Sequence, residues 1–222
     1  MKIIVPHVDY VFDCAGEKMC SIIIENQKLL YFVINDIQEQ IQGEDGKTVL
    51  SEDNQVLPVS KCAELITQFT PFEMNHKNLI SKVVSKMQKV AVDEQHYLKT
   101  QQMLSEWERY LMEISIDLVG NFNFSKTLTD TLIKSAGVEF DDTYESLAEK
   151  IIDYFELVQE YDRRKLFIVV NLRSYLSDEE MNIFIRDVLA RNIQVLLLES
   201  SERALLSNEK RYIVDADLCV IC

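Results

Sequence analysis

Glycine and proline are scarce in this chain, 5 and 3 of 222 residues. So few turn formers exclude long flexible linkers and favour helix. No apolar run approaches about 18 residues, so no segment reads as a membrane span. The opening Met1-Lys2-Ile3-Ile4-Val5-Pro6 is too short an apolar run for a signal h-region, and the protein is expected to stay in the cytoplasm. His7, His76 and His96 lie too far apart to form a local catalytic or metal motif. No Ser/His/Asp or paired-carboxylate arrangement offers a nucleophile. Cys14, Cys20, Cys62, Cys219 and Cys222 show no four-ligand zinc spacing. In a reducing compartment they read as small core hydrophobes.

What is present is an ordinary globular composition, 47% apolar and 27% charged, with length enough for a real core. The net charge of −14 argues against nucleic acid on its face. Its distribution is uneven. Residues 1–75 carry a net −7, residues 76–102 a net +3, and residues 103–222 a net −10. Phosphate contacts depend on local clustering, so the average does not exclude a DNA surface in the middle segment.

The pattern of apolar positions predicts strands over 2–8 and 21–25, then a helix capped by Asn26. A turn at Gly43-Glu44-Asp45-Gly46 precedes a short strand at 48–50, and a helix is predicted from Val59 through Phe69, ended by Pro71. Residues 78–119 contain no Gly or Pro and read as one long helix or a helical hairpin, closed by Gly120. Helices follow over 125–136, 143–161 and 178–191, with buried strands over 166–170 and 194–198 and an apolar run at 218–221. The layout is an α/β body over 1–75, an inserted all-α domain over 76–124, and the second part of the body over 125–222, with a parallel sheet covered on both faces.

Three motifs are weak. Gly43-Glu44-Asp45-Gly46-Lys47-Thr48 has two residues between its glycines where a phosphate loop needs four, and a strand follows instead of a helix, so it reads as a turn. Val195-Leu196-Leu197-Leu198-Glu199 looks like the strand that ends in a magnesium-orienting carboxylate, but reads better as a buried strand capped by a surface Glu. Cys219-Val220-Ile221-Cys222 opens no helix and follows an acidic stretch, so it reads as a terminal strand. Lys82, Lys86 and Lys89 are different. Spacings of four and three put them on one helix face, and residues 76–92 contain no acid. They form either a solvated face opposite the apolar stripe or a stripe of phosphate contacts.

Several stretches together resemble the type II-A CRISPR adaptation protein family. They are Leu132-Ile133-Lys134-Ser135-Ala136-Gly137-Val138, the helix from Thr143, and Tyr161-Asp162-Arg163-Arg164-Lys165-Leu166-Phe167-Ile168-Val169-Val170-Asn171. Tyr175-Leu176-Ser177-Asp178-Glu179-Glu180, the strand ending in Glu199, and Tyr212-Ile213-Val214-Asp215-Ala216-Asp217 complete them. Their order and spacing over 130–217 carry the resemblance. It implies a degenerate nucleotide-hydrolase-like parallel-sheet body with an inserted all-α domain and no working phosphate loop. It implies a non-catalytic homotetrameric ring around a basic hole that binds ends of double-stranded DNA without sequence preference. The ring is held by calcium and acts in spacer acquisition with the CRISPR integrase complex and the RNA-guided effector nuclease.

Lys82, Lys86, Lys89 and Lys134 are the expected DNA surface. Asp117, Asn121, Asn123 and Asp130 fall where the family's acidic stretch lies and are the expected calcium ligands, although Gly120-Asn121-Phe122-Asn123 also reads as a plain loop. Two other classes stay open: a diverged ATPase using Glu199, and a scaffold that does not contact DNA.

Overall fold

The computed structural model describes residues 1–125 and 128–221. The chain divides into two compact units, Met1–Glu73 with Asp142–Cys222, and Met74–Asp141. In order, the elements are β1 (Lys2–Ile4), β2 (Phe12–Asp13), β3 (Met19–Ile24), α1 (Gln27–Gln42), β4 (Val49–Glu52), β5 (Gln55–Leu57), α2 (Val59–Cys62) and β6 (Ala63–Ile66). Then come α3 (Lys77–Ala91), α4 (Tyr97–Ser115), α5 (Thr129–Ser135), α6 (Leu147–Asp162), β7 (Leu166–Val170), α7 (Asp178–Ala190), β8 (Gln194–Glu199), β9 (Glu209–Val214) and β10 (Val220–Ile221).

The first unit is mixed α/β. Its larger sheet has the order β10-β9-β3-β8-β7-β6, parallel from β9 to β6 with β10 antiparallel at one edge. A smaller antiparallel sheet runs β2-β1-β4-β5. Every residue of β3 and of β7 is buried, as the near-continuous apolar strands of a covered parallel sheet should be, with Ser21 the one polar residue among them. Asn26 caps α1, its side chain accepting from the Leu29 N–H, and Leu29, Leu30, Val33 and Ile37 turn inward. Gly43 ends that helix at φ 97°, a left-handed conformation that favours glycine. Phe155 stacks on Phe167 at 4.1 Å between ring centroids, tying α6 to β7.

The structure corrects several expectations. The helix expected from Val59 through Phe69 is a single turn, and residues 63–66 form β6, paired in parallel with β7. A run as short as Ala63-Glu64-Leu65-Ile66 carries no period of its own, and the ladder offered by β7 decides it. The first strand stops at Ile4, before Pro6, which has no N–H to donate, and His7, which sits at φ 64°. The helix expected from Thr143 begins at Leu147. β9 was expected only as a family motif. Cys14 and Cys20 are joined as a disulfide rather than standing as separate core thiols, whereas Cys62 is a buried free thiol and Cys219 an exposed one. Part of the helix expected over 125–136, and Cys222 of the terminal motif, lie outside the described residues.

The second unit is helical. The long apolar segment is two helices, broken where the Asp93 carboxylate accepts from the N–H groups of Gln95 and His96 at 3.0 and 2.9 Å. Such a local side-chain acceptor competes with the helix ladder and starts a turn. Asn75 pairs with the backbone of Phe140 in both directions, donating at 3.1 Å and accepting at 2.7 Å. That bracket closes the unit at its two ends, and α5 packs on α3. The boundary expected after residue 124 therefore falls inside the unit, which runs on to Asp141. Among the described residues no helix is long and apolar enough to cross a membrane.

Candidate nucleic-acid interface

α3 is continuous from Lys77 to Ala91, so Lys82, Lys86 and Lys89 do lie on one helix face. Lys86 and Lys89 are exposed and Lys82 is half-buried. At about 100° per residue, the lysine row stands roughly 70° around the helix from the row of Leu79 and Val83. Those two are the buried residues of α3. The lysines thus flank the packed seam instead of standing opposite it. Lys82 and Lys86 have interactions of their own as well. Lys134 lies on α5 and pairs with Asp130 one turn earlier at 3.7 Å. Exposed pairs of this kind contribute about 0–1 kcal/mol, little enough for a phosphate to compete.

α4 buries only Leu104 of its 19 residues. Tyr97, Leu98, Met103, Trp107, Tyr110, Met112 and Ile114 are exposed along it. Met103, Trp107, Tyr110 and Ile114, spaced four, three and four apart, share one side of the helix, while Leu98 and Met112 lie on another.

Where a nucleotide hydrolase would carry its phosphate loop, between a strand and the helix after it, this chain has only Glu25 and Asn26 between β3 and α1. Asn26 accepts from the Leu29 N–H at 3.0 Å and donates to the Ala216 carbonyl at 2.9 Å. The helix N-terminus is capped from within the chain. The glycine pair at Gly43 and Gly46 lies after α1 instead, and the amides beyond it are also taken. Asp36, buried, accepts from Lys47 N–H at 2.7 Å and Thr48 N–H at 2.8 Å. Burial works against the Asp36 carboxylate, but hydrogen bonds from Thr48, Lys47 and Gln40 hold its pKa below the usual range.

Glu199 is not a surface cap: it is 2% exposed. It accepts from the backbone N–H of Arg173 at 3.2 Å. The Arg173 guanidinium, equally buried, donates to Asp178 at 2.8 Å and to the Ala204 carbonyl at 2.9 Å, and lies 3.7 Å from Glu209. Glu209 also accepts from Arg211 at 2.9 Å and from the Leu206 N–H at 3.0 Å. Arg211 reaches on to the carbonyls of Arg203 and Ala204. This buried network holds the segment 200–208 against the sheet. Sequence reasoning missed Asp36, Arg173, Glu209 and Arg211, because charged residues give no sign of burial unless their partners are known.

Among the described residues no group of three or more His, Cys, Asp or Glu side chains converges to hold a metal. Asp117, Asn121 and Asn123 are exposed, outside any helix or strand, and Asp130 is engaged by Lys134. If these four held calcium, backbone carbonyls would have to complete the shell of about 6–8 oxygen ligands that the ion takes.

The sequence profile of the CRISPR-associated protein family Cas_Csn2 matches residues 40–218. The chain belongs to that family. It is 25% identical over 88 residues to a CRISPR-associated protein Csn2 of Enterococcus faecalis, a match covering 40% of this chain and 39% of that protein's length.

Proposed function

We propose that this protein is a non-catalytic, homotetrameric ring that binds ends of double-stranded DNA without sequence preference during CRISPR spacer acquisition. It acts there with the integrase complex and the RNA-guided effector nuclease. The observation that carries the reading is the lysine row Lys82, Lys86 and Lys89 on α3, inside a segment of net +3 in a chain of net −14. A concentrated basic face in an acidic molecule neutralises phosphates locally while the rest of the surface repels DNA. Family membership supports the CRISPR role. The exposed apolar length of α4 supports assembly with further copies. The parallel sheet, with β3 leading into α1 and Glu199 ending β8, supports a nucleotide-hydrolase-like ancestry of the body.

Binding to linear duplex DNA is expected to weaken steeply with salt. Replacing all three lysines by glutamate should weaken it at least about tenfold for every sequence tried and lower the log–log salt slope by about 3. Unchanged affinity in that variant would remove these residues from the DNA surface. Circular duplex of the same composition should be captured poorly, and equal capture would count against threading of ends. Mass in solution, measured in chelator and in calcium, tests the tetramer and the expected role of the metal together.

ATP with magnesium is expected to yield no turnover above background, because the β3–α1 junction is too short for a phosphate cradle and Asn26 caps the helix. Phosphate release that vanishes in Glu199→Gln would make this chain an ATPase.

A further inference from the structure

We propose that Cys14 and Cys20 form a reversible dithiol–disulfide modification site, oxidised by thiol–disulfide exchange with a small-molecule disulfide such as glutathione disulfide. The pair closes a short loop between β2, in the small antiparallel sheet, and β3, in the middle of the large sheet. Their Cα atoms are 5.1 Å apart, within the ordinary span of a bridge.

That spacing is held by more than the sulfurs. On one side, the Cys14 N–H donates to the Met1 carbonyl at 3.0 Å. The carbonyl of the preceding Asp13 accepts from Lys210 Nζ at 2.6 Å and from the Tyr212 hydroxyl at 3.0 Å. On the other side, the Met19 N–H donates to the Asn208 carbonyl at 2.9 Å, and Cys20 is fixed in the ladders of β3 with β8 and β9. The two thiols of the reduced protein therefore stay opposed, and the bridge opens and closes without unfolding the sheet.

Access is one-sided. Cys20 is 2% exposed, whereas Cys14 is half-buried. A cavity of about 490 Å³ lies beside the pair, lined in part by both cysteines, Gly16, Lys18 and Asn192. It gives a tripeptide disulfide room to approach. Cys14, deprotonated, attacks one sulfur of the oxidant, forming a mixed disulfide and releasing one glutathione thiolate. The Cys20 thiolate then attacks the Cys14 sulfur, closing the bridge and releasing the second glutathione. Two protein thiols are oxidised, one glutathione disulfide is reduced to two thiols, and the two protein protons pass to the leaving thiolates.

The test uses the full chain, reduced and then equilibrated in buffers of different glutathione to glutathione-disulfide ratio. Remaining thiols are trapped by alkylation and the protein is digested with trypsin. Cleavage after Lys18 separates the two cysteines, so the bridge appears as peptide 3–18 joined to peptide 19–28. The joined pair is expected at oxidising ratios and should disappear with dithiothreitol. The thermal midpoint of the oxidised chain should rise by about 5 °C or more, while Cys14→Ser should melt alike in both buffers. Alkylation of both cysteines at every ratio, a glutathione adduct on Cys14 that Cys20 never displaces, or a redox-dependent midpoint persisting in Cys14→Ser would overturn the proposal.

Discussion

Replacing Arg173 by alanine is expected to cost about 3–5 kcal/mol of stability. The reason is what the guanidinium leaves behind. Glu209 is fully buried at its side chain and, among the described residues, keeps Arg211 as its cationic partner, while the Ala204 carbonyl loses one of its donors. Glu209 then keeps the Arg211 fork but loses its second cation, and Glu199 loses the attraction of the same guanidinium, so the desolvation of two buried carboxylates is offset less completely. For a domain of this size the loss corresponds to a thermal midpoint lower by about 10 °C. Trypsin reads the same event locally, since Arg203 lies in the segment that Arg173 and Arg211 hold down. Cleavage after Arg203 should accelerate before global unfolding begins. Arg173→Lys should recover only part of the stability, because one ammonium cannot serve Asp178, Ala204 and Glu209 from a planar fork. A change below about 1 kcal/mol in Arg173→Ala would mean the network is incidental to the fold.

Glu199→Gln should change how stability depends on pH. Burial raises the Glu199 carboxyl to about 7, against the opposing pull of the Arg173 N–H, the Arg173 guanidinium and Arg203, with Glu209 adding repulsion. The folded state therefore holds this proton more tightly than the unfolded chain does, whose carboxyl titrates near about 4.3. The associated stability is fully present below the unfolded value and is lost as pH rises through about 7. A shift of this size corresponds to about 3 kcal/mol across the window. Glutamine keeps an oxygen to accept from Arg173 and carries no proton to lose. The difference between variant and wild type, measured by urea unfolding from pH 5 to pH 8, should grow in favour of the variant toward high pH by about 2–3 kcal/mol. A difference constant across that range would show that Glu199 keeps its charge state throughout.

Legibility followed burial and sequence distance. β3, β7 and β8 were readable because strands buried on both faces spell largely apolar runs, and α1 was readable from its Asn26 cap and the spacing of Leu29, Leu30, Val33 and Ile37. β6 was not, because four residues fit either period until β7 is known to lie beside them. β9 opens Glu-Lys-Arg, which looks like surface, yet Glu209 goes inside because Arg173 and Arg211 meet it there. Glu199 was misread for the same reason. The lysine row on α3 needed only helical spacing, so sequence sufficed to place it. The pairing of Cys14 with Cys20 depends on two strands of different sheets approaching each other, which spacing alone does not encode.

The bracket between Asn75 and Phe140 bears on how quickly this topology can form. β6 and β7 pair side by side although Ala63 and its partner Leu166 are about a hundred residues apart in the chain. Contacts of such long separation slow folding, because the loop must close before the ladder repays it. The helices between them are built from local contacts and can form early. Once Asn75 holds Phe140, the intervening chain behaves as a much shorter tether of roughly a third the length, which lowers the closure entropy by about 1 kcal/mol. Early closure of the insert would thus set the pace at which the sheet is completed.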